Sequence, residues 1–168
     1  MERKKIKELC HSVRSNLQIN KLKDNDGNYP LYGASGLVKN IDFYMIDRPY
    51  LSIVKDGAGI GRVACHQCQS SIVGTMQAFI NEDNVEFKYL YYVLKHENLG
   101  YSENGCTIPH IYFKDFGEKS VNYYPIDRQK KIVNILDNIT DSIKSKQNEL
   151  ILLDELIKSR FIRQGVVA

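Results

Sequence analysis

No apolar run in this sequence approaches the roughly 18 residues that a membrane-spanning helix needs. The opening MERKKIKELC also lacks the apolar centre of a secretory signal. Both absences argue against membrane or secretory destinations and predict a cytoplasmic location. Cysteine is sparse, with Cys10, Cys65, Cys68 and Cys106 only, and without an export signal these are expected to be thiols rather than disulfides. Charge of one sign is never in large excess: the net value is +3. It is nevertheless uneven. Met1 to Lys23 carries seven Lys/Arg against two Glu, whereas Asp24 to Pro125 carries eight against twelve acidic residues. A polyanion must therefore be gripped by a local basic face or with help from a partner, because phosphate binding rests on concentrated Lys and Arg. Also missing are a Walker loop, a nucleophile elbow and a His-Glu-x-x-His motif. Without a self-sufficient catalytic apparatus, attention moves to recognition and assembly.

What is present begins with length: 168 residues suffice for one domain with a core plus an appendage, and are too few for two ordinary domains. KDNDGNYPLYGASG, dense in Asp, Asn and Gly, predicts turns rather than a regular element. PYLSIVKDGAGIGRVAC reads as strand, glycine turn and strand, and SSIVGTMQAFI as another β run. In NEDNVEFKYLYYVLKHENL the period changes: Phe87, Leu90, Tyr91 and Leu94 share a helical face, with Asp83 or Asn84 as the cap. GCTIPHIYFKDF and KSVNYY look extended, and Pro125 with Asp127 opens a terminal helix.

That last helix is free of proline and glycine from Ile126 to Gln164. Apolar residues recur at Ile132, Leu136, Ile139, Ile143, Leu150, Leu153 and Ile157 in alternating steps of four and three, with Lys146 at the remaining position. This is the 3.5-residue repeat of a coiled coil, on a rod that can reach roughly 55 Å at 1.5 Å per residue. A small globule cannot cover such a rod, so the seam is expected to meet another helix. The residues predict a mixed α/β (α+β) chain, one β-rich globule followed by a long C-terminal helix.

Four short motifs have plainer readings than their chemistry suggests. DGAGIGR, Asp56 to Arg62, is followed by strand-forming residues rather than a helix, so its glycines predict a hairpin turn and not a phosphate cradle. DRPY, Asp47 to Tyr50, approaches the Asp/Asn-Pro-Pro-Tyr signature of amino-methyltransferases, but Arg48 replaces a proline and no glycine-rich cofactor strand precedes it. It reads as a turn into a strand. CHQC, Cys65 to Cys68, has zinc-like spacing without a second well-spaced ligand pair. Glu86 and Lys88 of EFK fit an exposed first helical turn. No metal site is assigned.

Six stretches fall in one order: KIKELC, GNYPLYGASG (27–36), YLSIVKDGAGIGRV (50–63), FKYLYYVLK (87–95), NGCTIPHIYFKDF (104–116) and YPIDRQKKIVNILDNI. In this order the chain resembles one target-recognition half of a type I restriction-modification specificity subunit. Where the family commonly has Pro-Pro-Leu and Glu-Gln before the long helix, this chain has Tyr124-Pro125-Ile126 and Arg128-Gln129. A full subunit of the family has two recognition domains joined by two antiparallel helices; one of each is present.

The resemblance implies a target-recognition domain over residues 1–124 and a helix over 125–164 for coiled-coil dimerisation and subunit assembly. It implies a non-catalytic, DNA-sequence-recognising subunit that dimerises through Ile132, Leu136, Ile139, Ile143, Leu150, Leu153 and Ile157 to read a symmetric, interrupted site on double-stranded DNA. Modification (methyltransferase) subunits, and through them a restriction/translocase subunit, are the implied partners. No cofactor is implied in this chain; S-adenosylmethionine, ATP and Mg belong with those partners. Polar side chains at loop ends are the candidates for DNA contact: Lys39, Lys55, Arg62, Gln77, Asn104, Thr107, His110 and Lys114. Two alternatives remain open: a truncated recombination cassette or decoy that binds modification subunits without supporting restriction, and a methyltransferase-like enzyme acting through DRPY.

Overall fold

Three small sheets organise the residues before the long helix in this computed structural model, which describes residues 2–101 and 110–163, the side chains of 161–163 excepted. Asn104, Thr107 and Cys106 lie outside the described residues. The strands are β1 (Glu2–Lys5), β2 (Cys10–Arg14), β3 (Tyr29–Gly33), β4 (Gly36–Ile41), β5 (Tyr50–Val54), β6 (Val63–His66), β7 (Ser71–Ile72), β8 (Met76–Asn81) and β9 (Ser120–Tyr123). The helices are α1 (Phe87–His96), α2 (Phe113–Phe116) and α3 (Ile126–Arg163). The chain divides into two compact units, Met1–Gln129 and Lys130–Ala168. As expected from sequence, a mixed β-rich globule precedes a long C-terminal helix.

The largest sheet has the order β2-β8-β5-β6, antiparallel throughout; a second has the order β4-β3-β7, and β1 pairs with β9. All five residues of β5, YLSIV, are buried, as suits a central strand covered on both faces. Alternation divides the main sheet into two sides. Tyr50 and Val54 of β5 join Met76, Ala78 and Ile80 of β8 in a core completed by Leu31 and Ile41 from the second sheet. On the opposite side Phe79 of β8 meets the rings of Phe113 and Phe116 from α2, with centroids 5.1 and 5.7 Å apart.

The glycine hairpin is as the sequence predicts: β5 and β6 pair antiparallel, and Gly57, Gly59 and Gly61 all have positive φ. A Cβ on Gly61 would lie 2.3 Å from the Gly100 backbone nitrogen, so both conformation and space require glycine there. DRPY does lead into β5, and Tyr50 is buried with its phenolic oxygen accepting a hydrogen bond from Ser70 Oγ at 2.9 Å.

Four local expectations need correction. GNYPLYGASG contains a strand, β3, because Leu31 is wholly buried and pairs across to β4; the flanking Asn and Gly residues concealed it. The SSIVGTMQAFI run breaks into β7 and β8 at a turn closed by Met76 N–H donating to Val73 C=O. The α1 cap is Glu86, whose carboxylate accepts from Tyr89 N–H at 2.6 Å, and not Asp83 or Asn84. Finally, Phe113–Phe116 is helical rather than extended, since one turn brings both phenylalanines, three residues apart, onto Phe79. Among the described residues no helix is long and apolar enough to cross a membrane.

Candidate nucleic-acid interface

A cleft of about 670 Å³ opens on the α2 side of the main sheet. Its floor follows from strand alternation: Ser12 and Arg14 project from β2, and Gln77, directly paired with Arg14 in the β2/β8 register, projects beside them. Its walls are the β5 exit, Lys55 and Asp56, and the segment from His110 to Lys114. Two contacts hold those walls together. Lys55 C=O accepts from Ile111 N–H at 3.1 Å, and His110 Nδ1 lies 2.6 Å from Asp56 Oδ1. Among the described lining residues Asp56 is the one carboxylate and it faces the imidazole, so Arg14, Lys55 and Lys114 leave the opening positive.

Gln77 stands out within this cleft. It is only 8% exposed, yet its carboxamide has no hydrogen-bond partner among the described residues. None of its polar atoms is sealed away, so the amide faces the solvent of the cleft. A donor and an acceptor held side by side by a rigid strand match the edge of adenine, while the neighbouring guanidinium matches guanine.

Of the eight sequence candidates, Lys55, Gln77, His110 and Lys114 converge on this cleft. Arg62 sits elsewhere, in a shallower opening of about 550 Å³ beside Tyr91 and Lys95, and its guanidinium donates to Ala34 C=O at 2.9 Å. Lys39 is committed within the fold: its ammonium donates to Leu22 and Lys23 C=O at 3.1 Å and lies 2.9 Å from Asp26 Oδ1. Asn104 and Thr107 fall outside the described residues. Sequence reasoning missed Arg14, Asn16 and Tyr112, which also line the cleft. The two-residue alternation of Ser12 and Arg14 was the available signal.

Behind the hairpin, the Cys65-to-Cys68 motif is split by burial. His66 turns inward, its Nε2 2.7 Å from Ser52 Oγ and its ring against Tyr32 and Tyr50, whereas Cys65 and Cys68 are exposed. Burial lowers the His66 pKa to about 4.

In the second unit, Ile139, Ile143, Leu150, Leu153 and Ile157 of α3 are between 51% and 63% exposed, while Ile132 and Leu136 are half-buried. Lys146 Nζ lies 2.9 Å from Glu149 Oε2.

Comparisons with known proteins agree with this architecture. The type I restriction modification DNA specificity domain profile matches residues 1–153. A protein of Mycoplasma pneumoniae described as a type I specificity subunit is 26% identical over 140 residues, covering 78% of this chain and 45% of that protein. This chain therefore spans less than half of that relative. The type I S subunit from Mycoplasma genitalium shares the fold with a TM-score of 0.63 at 19% identity, over 90% of this chain and 43% of that one. An HsdS subunit from Thermoanaerobacter tengcongensis gives 0.67 at 16%, over 86% and 38%. A chain in a structure of type I R-M complex assembly and conformational transition gives 0.70 at 18%, over 86% and 39%. With the whole of the first unit and most of α3 inside the profile match, the chain belongs to the family of type I restriction-modification DNA specificity domains.

Proposed function

We propose that this chain makes the sequence choice of a type I restriction-modification complex and catalyses no step itself. The match to a DNA specificity domain over residues 1–153 carries this reading. The basic cleft supports it: Arg14, Lys55 and Lys114 are the cations for phosphate and guanine, and Gln77 is the inner reader of a base edge. His110, braced by Asp56, positions the cleft wall. Residues 1–124 act as the recognition domain and residues 125–164 as the assembly helix. The burial of Tyr50 disfavours methyltransferase chemistry at DRPY, because that signature uses its tyrosine to hold an extruded base.

Two copies pair through the α3 seam, so that two identical globules read two identical half-sites on double-stranded DNA. The spacer is set by the rod between them, as half-site spacing follows dimer geometry in other DNA readers. Modification subunits bring S-adenosylmethionine and additional positive surface, and a restriction subunit joining through them brings ATP and Mg. The assembly works in the cytoplasm.

The test is to co-express the chain with the modification subunits of its host and map methylated adenines across the genome. A symmetric motif interrupted by unspecified bases is the expected result. Capture of modification subunits with no methylation would instead identify a decoy, and an asymmetric motif would refute the two-fold reading.

A further inference from the structure

We infer that the cleft over Gln77 receives one nucleobase turned out of the duplex, stacked on Tyr112 and read by the Gln77 carboxamide, rather than a base edge lying in a groove. This rests on the proposed sequence reading and adds the form in which DNA meets the site.

Shape is the first ground. In a duplex the base edges lie at the floor of grooves, about 8.5 Å deep on the major side, so an element that reads them there must be convex, as a helix or a two-stranded ribbon is. Gln77 occupies the opposite kind of place. It lies in β8, between β2 and β5, with Arg14 and Ile53 as its paired residues, and is walled in by Lys55, Asp56 and the segment from His110 to Lys114. Only 8% of it is exposed, yet its amide has no hydrogen-bond partner among the described residues. The amide is thus held open to whatever enters the cleft. A base edge at the floor of one concavity cannot meet an amide at the floor of another. A base swung out of the stack can, and the cleft volume of about 670 Å³ is that of a small-molecule site, for which about 300–1,000 Å³ is usual.

Tyr112 is the second ground. It is 54% exposed at the cleft wall, and its hydroxyl has no hydrogen-bond partner among the described residues. Its backbone is nevertheless fixed: Tyr112 C=O accepts from Asp115 N–H at 3.0 Å and from Phe116 N–H at 3.3 Å. The adjacent Phe113 packs on Phe79, which lies two residues along β8 from Gln77 and on the same face of the strand. Ring and amide are therefore carried on one support. Lys114 Nζ lies 5.5 Å from the centre of the Tyr112 ring, and the His110 ring lies 6.3 Å away, centre to centre. In an intact duplex each base face is covered by its neighbours, which leaves such a ring nothing to stack on. An extruded base offers both faces, and bases in that state are bound by an aromatic surface together with polar groups on the base edge. Arg14, Lys55 and Lys114 suit the phosphates on either side of the extruded nucleotide.

The experiment measures DNA binding by the chain together with its modification subunits, on duplexes carrying the motif that they methylate. Gln77→Ala first identifies the base pair served by the cleft, as the one at which the sequence requirement relaxes. Each base of that pair is then changed in turn, leaving its partner in place. A mismatched base costs less to turn out, so changing the unread base should tighten binding about tenfold, while changing the read base should weaken it. Binding that neither change tightens assigns Gln77 to a base edge within the groove and overturns the inference, as does a motif that Gln77→Ala leaves unaltered. Tyr112→Ala should weaken binding roughly tenfold through lost stacking, and Tyr112→Phe, which keeps the ring, should recover most of that loss. Because the side chain is exposed, the thermal midpoint of both variants should stay at the parent's. Parental affinity in Tyr112→Ala, or an equal loss in Tyr112→Phe, overturns the stacking. A complex that methylates no defined motif removes the proposed function and this inference with it, a result distinct from each of the others.

Discussion

Gln129 Oε1 accepts a hydrogen bond from the Glu86 backbone N–H at 2.8 Å, while its amide nitrogen donates to Tyr124 C=O at 2.7 Å and Asn84 C=O at 3.2 Å. The side chain is wholly buried. One carboxamide thus joins the first turn of α3 to the residue whose carboxylate caps α1. Gln129→Leu strands the Glu86 N–H and takes one donor from each of the Tyr124 and Asn84 carbonyls, of which Asn84 keeps the Tyr123 hydroxyl at 3.3 Å; at about 1–3 kcal/mol for the buried orphan and about 1 kcal/mol for each lost carbonyl bond, the expected loss is about 3–5 kcal/mol. Urea unfolding should show a lower midpoint at an unchanged slope. A loss under about 1 kcal/mol would mean that water replaces the amide.

A second prediction concerns pH. Burial holds His66 neutral, with a pKa of about 4 against an unfolded value near 6.5. Between those values the unfolded chain binds the proton and the folded chain does not, so stability is complete above pH 6.5 and falls as pH drops towards 4. The loss should approach about 2 kcal/mol, allowing for solvent at the ring edge. Glu118, whose pKa its hydrogen bonds with Lys5 and Lys7 lower to about 2, contributes only at more acidic pH, so the window from 6.5 to 4.5 isolates the histidine. In a His66→Phe variant the slope of stability against pH in that window should flatten. An unchanged slope would assign the effect to another group.

The cleft and Lys39 make opposite predictions. In the reconstituted complex, Gln77→Ala should relax the sequence requirement at one base pair by about 1–3 kcal/mol, and Arg14→Ala at a neighbouring one. Lys55→Ala should weaken binding to all sequences and reduce the salt slope by about one. Lys39→Ala should leave the methylated motif unchanged and lower thermal stability, since the ammonium fastens the 22–26 segment to β4. Motif changes from Lys39→Ala but not from Gln77→Ala would place the reading face elsewhere.

Much of this arrangement was legible because some residues have few alternatives. Three glycines between two β-rich runs demand positive φ, and a four-three apolar repeat demands a helix with a partner-facing stripe. Cys10-His-Ser-Val-Arg14 offers no such pattern. Its strand is defined by pairing with β8, so Arg14 looked like one cation in a basic opening rather than the neighbour of Gln77. α2 is a single turn, too short to show a period, and depends on Phe79 from a distant strand. Lys39 looked available because its carbonyl partners lie 16 and 17 residues earlier in the chain. Gln129 was visible only as part of Arg128-Gln129, since two of its three partners belong to a turn more than forty residues away.

The seam supplies the last prediction. Ile139 and Ile143 are 51% and 54% exposed in the single chain, so replacing both with glutamate should cost the monomer little and leave its helical circular dichroism intact. In the dimer the same change removes four buried isoleucines. At about 1.5–3 kcal/mol each, the loss is about 6–12 kcal/mol, comparable with the whole association energy of a micromolar to nanomolar complex. Light scattering across a concentration series should therefore show a dimer for the parent chain and a monomer for the double variant, and methylation with modification subunits should lose its two-fold motif. A double variant that remains dimeric would separate association from the seam, because four glutamates placed at its centre could not be tolerated there.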